Sequence, residues 1–226
     1  MTFGAILYKI LFGPLELFFE FVFVVADRHV GNPAYAIILL SLAMNFLVLP
    51  LYRRADAVQA EERERESALS PWIKHIKKTF KGNERFMMLQ TFYRQNNYKP
   101  TDSLKGSVSL LLEIPFFIAA YHFLSNLETL RGISFGPITD LGAPDALISI
   151  GPITLNLLPI LMTLINLISA AIYMNGLPLK NKIQMYGVAA IFLVLLYQSP
   201  AGLVFYWTLN NVFSLLKNIF YKLKNE

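Results

Sequence analysis

The apolar run LLSLAMNFLVLPLYRR, residues 39–54, carries an asparagine at position 45. A side-chain amide has two N–H donors and a carbonyl acceptor, and hydrocarbon satisfies none of them. Asn45 therefore either bonds to another segment of the chain or faces water inside an apolar surround. It has company: Glu113 and His122 in a second apolar segment, Thr163, Asn166, Ser169 and Tyr173 in a third, and Asn210, Asn211, Ser214 and Asn218 at or near the end of the last. Several of these lie three or four residues apart, the spacing that gathers side chains on one face of a helix. Amides and hydroxyls so arranged bind peptide groups and water; they do not break bonds. Neither a Ser/His/Asp arrangement, a metal-ligand constellation nor a Gly-rich phosphate loop is evident. With no cysteine, disulfides, thiolate metal sites and thiol nucleophiles are excluded. The expectation is a protein that is not an enzyme and needs no cofactor.

The elements that position these residues follow from composition. Of 226 residues, 55% are hydrophobic and 15% charged, where soluble domains carry roughly 25% charge. Apolar segments at about 33–52, 106–125, 154–174, 184–198 and 201–217 are candidates to cross a bilayer. All are expected to be helices, because an open strand edge cannot be satisfied in lipid. QSPAG, residues 198–202, divides the last two as a tight outer turn. Of the 20 lysines and arginines, 17 fall in the 53–105 insertion, the 175–183 loop and the C-terminal tail, which places that side in the cytoplasm. The expected fold is an all-α integral membrane protein of five spans, with the N-terminus outside and the C-terminus inside.

Residues 1–30 lack the charged start and cleavage site of a signal peptide. Lys9, Glu16 and Glu20 form one helical stripe, so this segment is expected to be an amphipathic helix in the outer interface; a tilted span is the alternative. His122, near the outer end of its segment, reads as an interface side chain. Residues 53–105 read as a cytoplasmic helical hairpin turning at KGN, residues 81–83. Its apolar residues, Trp72, Ile73, Ile76 and Phe80 on one arm and Phe86, Met87, Leu89 and Phe92 on the other, are expected to meet as a seam. A methionine-rich binding face including Met87 and Met88 is the sharper alternative.

At about 1.5 Å per residue, Asn45, Glu113, Asn166 and Asn211 all lie roughly 9–14 Å inside the cytoplasmic ends of their helices. Interhelical hydrogen bonding explains any single amide. It does not explain Glu113, since an ionised carboxylate in hydrocarbon costs several kcal/mol and the sequence places no lysine or arginine at that depth. A water-filled cavity in the cytoplasmic half, closed outside by apolar residues, unites the layer.

The chain after about residue 33 resembles the YidC-type membrane protein insertases and their Oxa and archaeal relatives. SPAGLVFYWTLNN (199–211) is similar to the family's F-P-S-G-L-V-L-Y-Y, and LLLEIPFFIAAYHFL (110–124) to its L-L-I-Q-M-P-I-F-L-A-L-Y. Residues 70–100 parallel its helical hairpin, down to KGN and YKP. The resemblance implies a five-span insertase core over 31–226 in a bacterial cell membrane, whose hydrophilic groove opens to cytosol and lipid. Nascent, short-tailed membrane proteins would enter that groove, alone or beside the Sec translocon, and leave sideways into the bilayer. The groove residues it implies are Asn45, Glu113, Thr163, Asn166, Ser169, Tyr173, Asn211 and Ser214, and the hairpin contacts are Trp72, Phe80, Phe86, Met87 and Met88. The resemblance is to the shorter Gram-positive or organellar type, which is expected to lack the family's large periplasmic domain; the lipoprotein cysteine common in the former is not found in this sequence.

One position departs from the pattern. The family's groove arginine stands five residues before the proline that here is Pro50, which makes it Asn45, while the family's second-span glutamine is Glu113. A groove expected to be positive is neutral or negative, which favours neutral or basic translocated segments. A specialised paralogue serving one membrane partner is the second function the residues allow, and a small-solute transporter a third, for which no inverted repeat is evident. The basic cytoplasmic face suits lipid headgroups or a ribosome, without specific nucleic-acid recognition.

Overall fold

The computed structural model describes residues 8–99, 101–102, 108–150, 153–173 and 179–225. Helices dominate: α1 (Gly13–Val30), α2 (Pro33–Thr79), α3 (Gly82–Gln95), α4 (Val108–Ser125), α5 (Leu157–Tyr173), α6 (Leu179–Leu196) and α7 (Ala201–Asn225). Among the described residues, only α2 holds an apolar stretch of at least 18 helical residues, long enough to cross a membrane. Shorter apolar stretches, Leu112–Ser125, Leu157–Ile172 and Met185–Leu196, run 10–17 residues. The chain divides into two units, Met1–Leu47 with Phe117–Glu226, and Val48–Phe116.

In the larger unit, α1 begins with Pro14 in its first turn and ends on Gly31, whose φ of 67° makes the left-handed cap. Phe19, Phe23 and Ala26 are its buried face, with Phe19 and Phe23 against the Phe123 ring and Phe19 edge-on to Tyr206. Leu17 and Phe21 are each 66% exposed, so α1 has a second, outward apolar face beside its polar stripe. The first seven residues of that expected helix lie outside the described ones. α5 packs most extensively along α7. Fully buried Ile37, Leu124, Leu130, Leu141, Leu196 and Leu203 form the apolar core at the end that carries the 126–156 loop.

The loop between α4 and α5 adds a small non-helical element to a mostly helical chain. It holds a 3-10 turn at Glu128–Leu130 and an antiparallel hairpin, β1 (Ile148–Ile150) and β2 (Ile153–Leu155), with Ile148 opposite Leu155. A two-stranded ribbon leaves both edges unpaired, which water tolerates and hydrocarbon does not. The loop is bonded to helix ends through its polar groups. Asp145 Oδ2 accepts from the backbone N–H of Leu157 at 2.7 Å and of Leu158 at 3.1 Å, satisfying two of the donors that open α5. Asn156 Nδ2 donates to the Tyr197 carbonyl at 2.6 Å. The N–H groups of Ala201 and Gly202, which open α7, donate to the carbonyls of Ala143 at 2.7 Å and Leu141 at 2.8 Å. Asp145 is 4% exposed, so Asp145→Ala strands buried donors. The expected loss is about 1–2 kcal/mol, read as a lower thermal midpoint in detergent; Asp145→Asn, which keeps an acceptor oxygen, should lose less.

In the smaller unit, Gly82 takes a φ of 56° to start the turn into α3, which ends at Gln95. Arg65 Nη2 donates to the carbonyls of Asn96 at 2.8 Å and Asn97 at 2.7 Å, so the end of α3 returns beside Arg65. The expected apolar seam does not form as proposed. α3 buries none of its residues, and Trp72, Phe86 and Met87 are 62%, 66% and 65% exposed, with Met88 at 40%. Phe80 is half-buried, and Ile76 is the one buried residue of the eight assigned to the seam. The segment just past α3 is tied to α2 through Arg65, while along the helix Leu89 and Phe92 are half-buried.

Candidate functional site

The polar residues of the larger unit converge on α7. Asn45 Nδ2 donates to Asn210 Oδ1 at 2.6 Å and to the Ser41 carbonyl at 2.8 Å, and Ser41 Oγ donates to the same Asn210 oxygen at 2.8 Å. The next residue of α7 faces another helix: Asn166 Nδ2 donates to Asn211 Oδ1 at 3.2 Å. Two turns further on, Asn218 Nδ2 donates to Ser169 Oγ at 3.0 Å and approaches its carbonyl at 3.4 Å. Adjacent asparagines point about 100° apart on a helix, so α7 ties to α2 through Asn210 and to α5 through Asn211.

These ties lie along about 12 Å of α7. Asn45, Asn166, Asn210 and Asn211 are half-buried, whereas Ser41 and Ser169 are buried. An asparagine can donate twice and accept twice, so one or two bonds spend only part of each amide's capacity. The rest suits the peptide groups of an extended chain. Thr163 behaves differently, returning its hydroxyl to the Pro159 carbonyl of its own helix at 2.8 Å. Ser214 is half-buried one turn past Asn210 and Asn211. Tyr173 closes α5, its side chain outside the described ones. Glu113, on the part of α4 that belongs to the smaller unit, is half-buried and engaged in an interaction of its own. Ser41 escaped the sequence reading, although it stands one helical turn before Asn45 and so shares its face.

Beyond the ties, Phe117, Phe192 and Trp207 stack with centroids 4.7–5.8 Å apart. The two N-terminal turns of α7 are buried almost throughout. The same helix thus runs from an apolar, close-packed end to a half-open amide face. Because the Asn210 oxygen is the shared acceptor, Asn210→Leu removes the partner of Ser41 Oγ and leaves Asn45 Nδ2 with the Ser41 carbonyl alone. Polar ties in membrane bundles average about 0.6 kcal/mol and reach about 1.7; two donors on one acceptor place this one near the upper value. A thermal-stability cycle of Asn45→Ala and Asn210→Ala is expected to be non-additive, while Asn45→Ala with Asn211→Ala should add.

Apolar helices joined by amides on one shared helix, with an amphipathic helix laid against them, define a helical membrane protein with a polar face inside its bundle. The chain belongs to the 60Kd inner membrane protein family, whose family model matches residues 25–226. It is 29% identical over 221 residues to a membrane protein insertase YidC from Treponema denticola, covering 91% of this chain and 37% of that one. To the protein of the same name from Thiobacillus denitrificans it is 31% identical over 191 residues, 84% of this chain and 32% of that one. The Aquifex aeolicus protein of that name is 28% identical over 217 residues, 95% and 39% respectively. A crystal structure described as active YidC insertase with its first transmembrane domain resolved superposes with a TM-score of 0.55 at 23% identity, over 93% of this chain and 46% of that one. The chain spans about a third to two fifths of the length of these curated relatives.

Proposed function

We propose that this chain is a membrane protein insertase that receives short-tailed membrane proteins against the amide face of α7 and releases them into the bilayer. The observation that carries this is the contrast along α7: closely packed and apolar where it meets the 126–156 loop, half-open and amide-lined further on. A polar tail entering there meets donors and acceptors instead of hydrocarbon. The relatives' shared name, membrane protein insertase, supports the same reading.

The proposed groove comprises Asn45, Asn166, Ser169, Asn211 and Ser214, with Asn210 and Ser41 added, in a five-span bacterial membrane protein whose N-terminus is outside and C-terminus cytoplasmic. Thr163 supports α5 locally and contributes no free hydroxyl to it. α5, a helix of 17 residues, extends about 26 Å, short of the roughly 30 Å hydrocarbon core. Such helices thin the bilayer around them, leaving less hydrocarbon for a tail to cross. The final state, an apolar span in lipid, supplies the driving force without a bound energy source.

The test is protease-protected insertion of a single-span substrate into liposomes holding the purified protein. The expected result is protection well above that of empty liposomes. Inactivity of the unaltered protein together with activity of Asn45→Arg would overturn general insertion and leave a scaffold dedicated to one membrane partner. The arm with Glu113→Gln tests its carboxylate: an altered preference for tail charge assigns Glu113 to the substrate path. Co-purification with the Sec translocon or ribosomes tests those proposed partners.

A further inference from the structure

Between the start of α1 and the end of α4 lies a partly open cavity of about 630 Å³, within the usual range of small-molecule sites, about 300–1,000 Å³. Its polar lining comes from Lys9, Glu16, Glu20, His122 and Asn126. Glu16 is fixed in place: its Oε1 accepts from the Tyr8 hydroxyl and stands 2.9 Å from His122 Nδ1, with the Tyr8 and His122 rings edge-on at 5.4 Å. Burial, reinforced by the Glu16 carboxylate, pushes the Tyr8 phenol up to about 12. Tyr8 is therefore a hydrogen-bond donor at any physiological pH. Glu20, one helical turn along α1 from Glu16, is exposed and adds a second carboxylate to the same wall. The cavity wall thus carries two carboxylates, Glu16 and Glu20, with the Lys9 cation at its edge.

The surroundings are apolar. Leu17, which also lines the cavity, and Phe21 are each 66% exposed on α1, an outward pair that lipid covers in a membrane protein. A ligand matched to this arrangement carries a primary ammonium, a nearby phosphate and hydrocarbon chains. We propose that the cavity binds the headgroup of an aminophospholipid, its ammonium on Glu16 and Glu20, its phosphate on Lys9, and its chains along Leu17 and Phe21. A primary ammonium brings three N–H donors to the carboxylates; a trimethylated one brings none, and an anionic headgroup meets two like charges.

The experiment reads lipid, not insertion, so it stands or falls separately from the insertase reading. The purified full chain is equilibrated in vesicles of equal phosphatidylethanolamine, phosphatidylglycerol and phosphatidylcholine, moved to mild detergent, and its retained lipid identified by native mass spectrometry. Phosphatidylethanolamine is expected to be enriched, with Glu20→Gln lowering that enrichment roughly tenfold, the equivalent of one charge-assisted hydrogen bond. Lys9→Gln should weaken retention without changing the order of preference. Both side chains are exposed, so the thermal midpoint should hold. Equal retention of the three lipids, preference for the anionic one, or indifference to Glu20→Gln overturns the proposal. Displacement by millimolar free phosphoethanolamine as readily as by lipid overturns the lipid source.

Discussion

Substrates whose translocated tails carry aspartate are expected to insert no faster than neutral-tailed ones, and Asn45→Arg is expected to raise the aspartate rate by roughly tenfold or more. In the unaltered chain, position 45 offers an acidic tail hydrogen bonds but no opposite charge. At about 6 Å and an effective dielectric near 20, a guanidinium would attract a carboxylate by about 3 kcal/mol. Desolvation of both groups takes back part of this, which leaves an acceleration of the order stated. Asn210 Oδ1, now bonded to Asn45 at 2.6 Å, remains as an acceptor able to hold the new side chain. The measurement is initial insertion rate for tails that differ only in one residue, Asp, Asn or Lys. Aspartate tails running fastest on the unaltered protein would sink the idea that its groove has lost its cation.

Gly142→Ala is the substitution with the largest expected effect on stability. A Cβ at this position would stand 2.9 Å from Arg131 Cα and 3.0 Å from Arg131 N, both backbone atoms, as well as 2.8 Å from Arg131 Cγ. Backbone cannot swing aside as a side-chain end can. The segments are also fastened here, since Asp140 Oδ1 accepts from the N–H of Gly142 at 2.7 Å and of Gly132 at 2.9 Å. Overpacking of this kind costs about 1–3 kcal/mol, a fall in thermal midpoint of several degrees for a chain of this size. Gly202→Ala provides the comparison. Its Cβ meets the movable Leu130 Cδ1 at 2.7 Å and the Leu141 carbonyl at 3.1 Å, so it should cost less. A midpoint unchanged by Gly142→Ala would show that the loop is not held against itself as described.

The family was legible in short local patterns: the proline and glycine of QSPAG, the LLLEIPFF segment and the KGN turn each report on residues a few positions apart. So was the amphipathic character of α1, because a helix repeats every 3.6 residues and its faces can be counted. The polar stripes of α5 and α7 were legible for the same reason, and Asn45 was identified as needing a partner.

Which partner it takes was not legible. Asn45 and Asn210 are 165 residues apart, and Asn166 and Asn211 are 45 apart; what joins them is the rotation of each helix about its axis, which packing sets and periodicity does not. The same limit hid the Tyr8, Glu16 and His122 cluster, because His122 looks isolated until α1 lies against α4. It hid the roles of Asp140 and Asp145 too, which bind the backbone of the loop and the start of α5. Trp72, Phe86 and Met87 show the converse error, an apolar stripe taken as a seam that the structure leaves exposed. Sequence by itself determined which segments are helical, which faces are polar and where the charge lies, since these depend on neighbours within one or two turns. Tertiary structure alone decided which polar groups satisfy one another and which are left to meet a substrate or a lipid, since a hydrogen bond requires two groups within about 3 Å, and only the packed chain sets that distance.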